Sequence, residues 1–273
     1  MIINKETMKQ GALKFIQALF SLSEVYKVAI KDIVISSPED MENIEKGLAL
    51  CYHDKLSDVD VNAWVLVSHA DFQRQTPLYR NYLKRLGLWD EIFGLLFVER
   101  SSDGSGKEGL RICLKSGFRM DFTCFVRCDE DIPDLPKEDL KQQTDIHEKQ
   151  DKEDAFWFIA VQALAKLLRR DYLIADHLSH MLLMEGLVLQ MEERDEAYQT
   201  NFHRYGYAEN LAYRDIDISD CEKYLKSNDD TYRQIAENLC RAVLSYDKQA
   251  ALASPLYKER SGVFWEIWDS YLE

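Results

Sequence analysis

The sequence has no block rich in lysine and arginine: its 34 basic residues are scattered among 48 acidic ones, for a formal charge of −14. Binding a phosphate backbone needs a concentrated basic footprint, so nucleic acid is not an expected partner. An acidic field suits a small cation better. Among the six cysteines there is no Cys-x-x-Cys pair and no histidine at zinc-site spacing, a pattern that reads as reduced thiols in a cytoplasmic protein. The opening MIINKETMKQGALKF lacks the basic, apolar and small-residue order of an export signal, and no apolar run approaches membrane-spanning length. Neither export nor a membrane anchor is therefore expected.

What the chain does have is material for a core, with 46% hydrophobic residues in 273. Leu13, Ile16, Leu19 and Phe20 recur at helical spacing and predict a first helix over Thr7 to Ser23. Strands are expected at Lys31 to Ser37, Val59 to Val67, Ile92 to Glu99, Leu110 to Ser116 and Phe118 to Val126, with a helix over Thr76 to Trp89 between them. Ser101 to Gly109 reads as a flexible loop, and Ser116-Gly117 as a tight hairpin turn. Two of the five prolines fall in the charged tract Asp129 to Asp154, which has little to bury and is the expected domain boundary. Beyond it, helical patterns run over Asp154 to Arg170, Asp171 to Arg194, Asn228 to Asp247 and Tyr257 to Tyr271, as in a helical bundle. Phe156 and Trp157 are expected in the core, and His203, Tyr205 and Tyr207 in an aromatic cluster or a pocket wall.

The stretch YHDKLSDVDVNAWVLV raises a question of charge. In a strand, successive side chains alternate faces, so Asp58 and Asp60 share one face while Val59, Val61, Ala63 and Val65 share the other. Two neighbouring carboxylates repel. They make sense with a divalent cation between them, or in water at the strand entrance. In GFRMDFTCFV, Asp121 interrupts an apolar strand, a costly position unless the carboxylate is paired, hydrogen-bonded or metal-bound. Three carboxylates on neighbouring strands are what two-metal phosphoryl or nucleotidyl transfer requires, with magnesium the usual ion.

On SDVDV, SGFRMDFTCF and the helical segment DAFWFIAVQALAKLLRRDYLIADHL, the chain resembles the nucleotidyltransferases of the DNA polymerase beta type. Within them it resembles the aminoglycoside adenylyltransferases that modify streptomycin at its 6-position. The resemblance implies an α+β fold: a nucleotidyltransferase-type mixed sheet with helices over residues 1–140, then a C-terminal helical substrate domain over 150–273. It implies that Asp58, Asp60 and Asp121 hold Mg2+, that Lys166 and Arg170 face the phosphates of ATP, and that Asp176 takes the proton from a small-molecule hydroxyl. Gln162, Lys166, Arg169, Asp176 and His180 are spaced for one helical face, although basic residues near a helix end also simply answer its dipole. A cationic aminoglycoside is the first candidate acceptor, with antibiotic resistance as the corresponding role. One family feature is missing, the Gly-Ser pair that grips the triphosphate ahead of the Asp-x-Asp strand. Its place would be Gly47-Leu48 or, further upstream, Ser36-Ser37.

Overall fold

A computed structural model describes residues 5–68, 83–100, 106–129, 131, 144–199, 211–254 and 256–273. The chain divides into two compact units, Met1–Phe158 with Asp269–Glu273, and Ile159–Trp268. The first unit holds a six-stranded mixed sheet in the order β2-β1-β3-β6-β5-β4, built from β1 (Val25–Ile30), β2 (Ile33–Ile35), β3 (Val59–Val67), β4 (Ile92–Arg100), β5 (Lys107–Leu114) and β6 (Arg119–Cys128). Only β3 and β6 run parallel; every other neighbour is antiparallel.

Alternation along the strands sorts the two faces of this sheet. Val59, Val61, Ala63, Val65 and Val67 of β3 are all buried, and Met120, Phe122, Cys124 and Val126 stand beside them on β6. Helices α1 (Lys5–Phe20) and α2 (Met41–Cys51) cover this apolar face. Phe15 of α1 meets Phe122 edge-on with ring centroids 5.2 Å apart. Gly47 of α2 lies against β1 so closely that a Cβ there would stand 2.6 Å from Ile30 Cβ. The other face is half-buried and mixed in chemistry. It carries Asp60, Asn62 and Trp64 from β3, Asp121, Thr123 and Phe125 from β6, and Arg111 from β5. Trp64 stacks on Phe125 at 5.0 Å, with the Lys27 ammonium 4.1 Å above the indole.

Several sequence expectations shift. The strand expected at Lys31 to Ser37 is the short β2 (Ile33–Ile35), and the strand before it, β1, was given no element from sequence; the two are joined at Lys31 and Asp32. Residues 41–51, given no element from sequence, form α2, capped by Asp40. Lys107–Gly109, expected as the end of a loop, belongs to β5. The helix expected over Thr76 to Trp89 lies largely outside the described residues; helix is assigned at 83–85, and Trp89–Glu91 form a 3-10 turn. The tract 129–154 is not a linker throughout, since α3 (Thr144–Leu168) already starts within it. The chain passes from one compact unit to the other inside that helix, after Phe158, where the sequence reading placed the change before residue 150. Phe156 and Trp157 are buried as expected, Trp157 packing 5.3 Å from Phe93 in the first unit. Tyr271 returns to that unit and donates to the Gly117 carbonyl at 3.0 Å.

The second unit is helical. After α3 come α4 (Tyr172–Tyr198), a 3-10 segment at Ser219–Leu225, α5 (Asp230–Ala253) and the greater part of α6 (Ser261–Leu272). Gly186 of α4 lies opposite Ser245 and Tyr246 of α5, where a Cβ would make only ordinary contact, at 3.6 Å from Ser245 Oγ. Buried Asp247 of α5 ties the next segment down by accepting from Tyr257 OH at 2.7 Å and from the backbone N–H groups of Arg260 and Ser261. No described helix is long and apolar enough to cross a membrane.

The closeness of α2 to β1 gives a stability test. Gly47→Ala should destabilise the chain by about 1–3 kcal/mol, the scale of overpacking a filled core, because Ile30 has no flexible end with which to yield. Gly262→Ala, where a Cβ meets nothing within 4 Å, should be neutral or stabilising by roughly 0.5–1 kcal/mol through helix propensity. Urea unfolding of both variants checks the contrast, and equal effects would remove Gly47 from the packing argument.

Candidate functional site

The site begins with a register. In the parallel pair β3–β6, Asp60 stands directly opposite Asp121, and Asn62 opposite Thr123. Both carboxylates project from the half-buried face because their neighbours Val59, Val61, Met120 and Phe122 are committed to the core. Asp58 precedes the strand and is exposed. The turn that delivers it is braced by Asp54 and Ser57: Leu56 N donates to Asp54 Oδ1 at 2.9 Å, and His53 N and Asp54 N donate to Ser57 Oγ at 3.0 Å. Buried Arg119, at the start of β6, donates to the Leu56 carbonyl and so ties this turn to the strand carrying Asp121.

Two cations flank the carboxylates. Arg111 faces Asp121 across the β5–β6 ladder, with its Nε 3.3 Å from Asp121 Oδ2. Lys31 sits at the β1–β2 turn with φ of 50°, its N–H donating to the Asp60 carbonyl at 2.9 Å and its Nζ 3.7 Å from Asp60 Oδ2. The Asn62 side chain donates to the Lys31 carbonyl at 3.1 Å and fixes that turn. Sequence reading missed both cations. A signal for Lys31 was present, since Lys31-Asp32 separates two apolar runs as a hairpin turn would; Arg111 needed the β5–β6 register.

Burial pushes the Asp121 carboxyl up to about 6; Arg111 opposes the shift and the charges of Asp58 and Asp60 add to it. Burial also raises Asp60, helped by Asp58 and opposed by Lys31. Asp121 Oδ1 is shielded from solvent and has no hydrogen-bond partner, which leaves a hard oxygen donor unused on the face that holds Asp60. Asp58, Asp60 and Asp121 thus lie near enough to act on one another, and their oxygens suit a hard divalent cation. As they stand, no group of three or more His, Cys, Asp or Glu among the described residues is arranged as a metal cage. One oxygen each of Asp60 and Asp121 faces a basic side chain instead.

Neither place considered for the missing Gly-Ser pair forms such a turn. Gly47 and Leu48 are inside α2, where Gly47 serves close packing, so they make no turn beside the carboxylates. Ser36 and Ser37 follow the edge strand β2 and are occupied in starting α2. Ser36 donates through both N and Oγ to Asp40 Oδ2, at 3.0 and 2.6 Å, and Ser37 Oγ accepts from Glu39 N at 3.2 Å. The bonds from Ser36, with those from Asn43, hold Asp40 down at about 2. The turn that does stand beside Asp60 is Lys31-Asp32, with neither Gly nor Ser.

The helical stripe expected from Gln162 to His180 is interrupted. Helix α3 ends at Leu168 and α4 begins at Tyr172, with Arg170 left-handed at φ of 60°, so residues on either side do not share one helical face. Lys166 sits in the last turn of α3 with its Nζ 3.2 Å from Asp171 Oδ2, an arrangement that suits a cation at a helix C-terminus. Arg170 is exposed. Asp176 is half-buried on α4, and its carboxylate lies 3.4 Å from His180 Nδ1. His203, Tyr205 and Tyr207 lie outside the described residues.

No protein-family model matches the chain. No curated protein matches it either. Among solved structures it is similar to the crystal structure of an aminoglycoside 6-adenyltransferase from Bacillus subtilis, at 15% identity over 97% of this chain and 99% of that one, with a TM-score of 0.29. A likeness of that size carries no residue assignment, and the site rests on its own geometry.

That geometry has a pH consequence. Asp121 binds its proton more tightly in the folded chain than an ordinary aspartate at 3.8. Its contribution to stability is therefore present at low pH and is lost as pH rises through about 6. Asp121→Asn removes that loss. Without divalent cations, its melting temperature relative to the parent should be nearly level at pH 4 and should rise between pH 4 and 7, about the interval its titration spans. A difference that is flat or falls with pH would show that the carboxyl is not held in this environment.

Proposed function

We propose that the chain is a nucleotidyltransferase that moves AMP from ATP to a hydroxyl of a small molecule and releases pyrophosphate. One observation carries this reading: Asp60 and Asp121 stand side by side on parallel neighbouring strands, with an unpartnered buried oxygen on Asp121 and the charge of Asp58 acting on both. Grouped carboxylates on a half-buried sheet face are expensive unless something cationic answers them.

In this reading Asp58, Asp60 and Asp121 hold Mg2+. The ion supplies neutralisation of the charge that builds on the departing pyrophosphate. The remaining work falls to the chain. The half-buried sheet face limits water around Asp60 and Asp121, which strengthens their hold on a cation. Asp176, in the second unit, is assigned the proton of the acceptor hydroxyl, and Lys166 and Arg170 the nucleotide phosphates. These three roles come from the family resemblance. A cationic acceptor such as an aminoglycoside agrees with the formal charge of −14.

A second reading is favoured by a separate observation. Gly47-Leu48 is helical and Ser36-Ser37 is spent on capping, so among the described residues ahead of β3 there is no Gly-Ser phosphate grip. This supports a nucleotidyltransferase-like protein that binds a nucleotide without turning it over.

The readings separate in one assay, pyrophosphate release from ATP and Mg2+ across aminoglycosides, lincosamides and simple polyols. Acceptor-dependent release is expected, falling about a hundredfold or more in Asp60→Asn, the scale of losing one charge contact made in a transition state. ATP binding with no release from any acceptor would favour the second reading. Release that persists in Asp60→Asn would remove the carboxylate site from the chemistry.

A further inference from the structure

Across four neighbouring strands the half-buried face carries charges in the order plus, minus, minus, plus. Lys31, at the end of β1, hydrogen-bonds through its backbone to Asp60; Asp60 pairs with Asp121; and Asp121 pairs with Arg111. The two cations are held loosely. Lys31 Nζ lies 3.7 Å from Asp60, beyond hydrogen-bond reach, and shares its charge with the Leu50 carbonyl at 3.2 Å. Arg111 Nε is 3.3 Å from Asp121. Their side chains are 36% and 37% exposed, so solvent screens both pairs and neither adds much to stability. Their backbones, in contrast, are fixed. Lys31 is held by Asn62 and Asp60, and Arg111 sits within a strand paired on both sides. Fixed stems with exchangeable charged ends are suited to changing partners.

We propose that Lys31 and Arg111 are polyphosphate-binding groups of this site, beside those the family resemblance assigns, one on each flank of the carboxylate pair. The charge order calls for a ligand with a cation at its centre and anionic oxygens to either side, which is the chemistry of a di- or triphosphate chelated to a divalent metal. The carboxylates take the metal side of that ligand, and the ammonium and guanidinium turn from the carboxylates to the phosphate oxygens. Arg111 adds a planar fork matched to phosphate, whereas Lys31 supplies a point charge. This inference rests on the nucleotidyl-transfer reading and names its phosphate contacts.

Binding calorimetry of the full chain with Mg2+ and either ATP or inorganic tripolyphosphate tests it without relying on turnover. Lys31→Met and Arg111→Met should each weaken both ligands by about tenfold or more, the factor for one hydrogen bond to a charged group. Lys31→Arg should recover most of the loss. Lys46→Met, which removes only an exposed pair with Glu42, should change nothing. Should Lys31→Met also lower the melting temperature, Arg111→Met decides alone. Parent-like affinity in both methionine variants would overturn the assignment and leave nucleotidyl transfer standing. A parent chain that binds neither ATP nor tripolyphosphate would overturn both.

Discussion

The parallel pairing of β3 with β6 is the constraint on which the rest of the site depends. Valines at alternate positions of β3 and Met120, Phe122, Cys124 and Val126 of β6 are committed to the face under α1 and α2. A slip of one residue in either strand would turn a carboxylate into that core and a valine or phenylalanine out of it. The apolar face thus enforces the register of the polar one. Asp60 and Asp121 stand together because their hydrophobic neighbours have nowhere else to go.

Electrostatic compensation follows from that enforced closeness. With Asp121 pushed up to about 6 and Asp60 also raised, the pair carries an unrelieved cost, and Lys31 and Arg111 offset part of it. Neither cation comes from the strands bearing the aspartates; each is brought in by an antiparallel neighbour, β1 on one side and β5 on the other. Arg119 is used differently. Buried and spent on the Leu56 carbonyl, it holds the turn before β3 and leaves the open face to the two more exposed cations.

Much of this was legible in the sequence where a single strand carries the signal. The nine residues of β3 alternate so regularly that both bounds were readable, and Asp58, Asp60 and Asp121 stood out as charges in apolar surroundings. Pairings between strands were not legible. No periodicity in β5 announces that Arg111 faces Asp121, and β1 went unread because Lys31-Asp32, which separates it from β2, lacks the Gly or Asn that usually marks so tight a turn. Residues 41–51 escaped because Gly47, where helix propensity is poor, is kept by the close approach to Ile30. The stripe through Lys166 and Asp176 failed for another reason: it ran across the helix boundary that the same reading placed at Arg170 and Asp171, where Arg170 turns left-handed and the face is lost.

That break bears on how phosphate would be met. Helix α3 ends in a basic cluster, and a helix C-terminus favours cations whether or not a ligand exists. Lys166, engaged with Asp171 at such an end, has a local reason for its charge. Lys31 and Arg111 have a weaker one, since their ion pairs are long and partly in water. A basic residue is better evidence for a ligand when local structure explains its position but not its charge. By that measure the half-buried face of the sheet, and not the end of α3, is where a polyphosphate has the stronger physical claim.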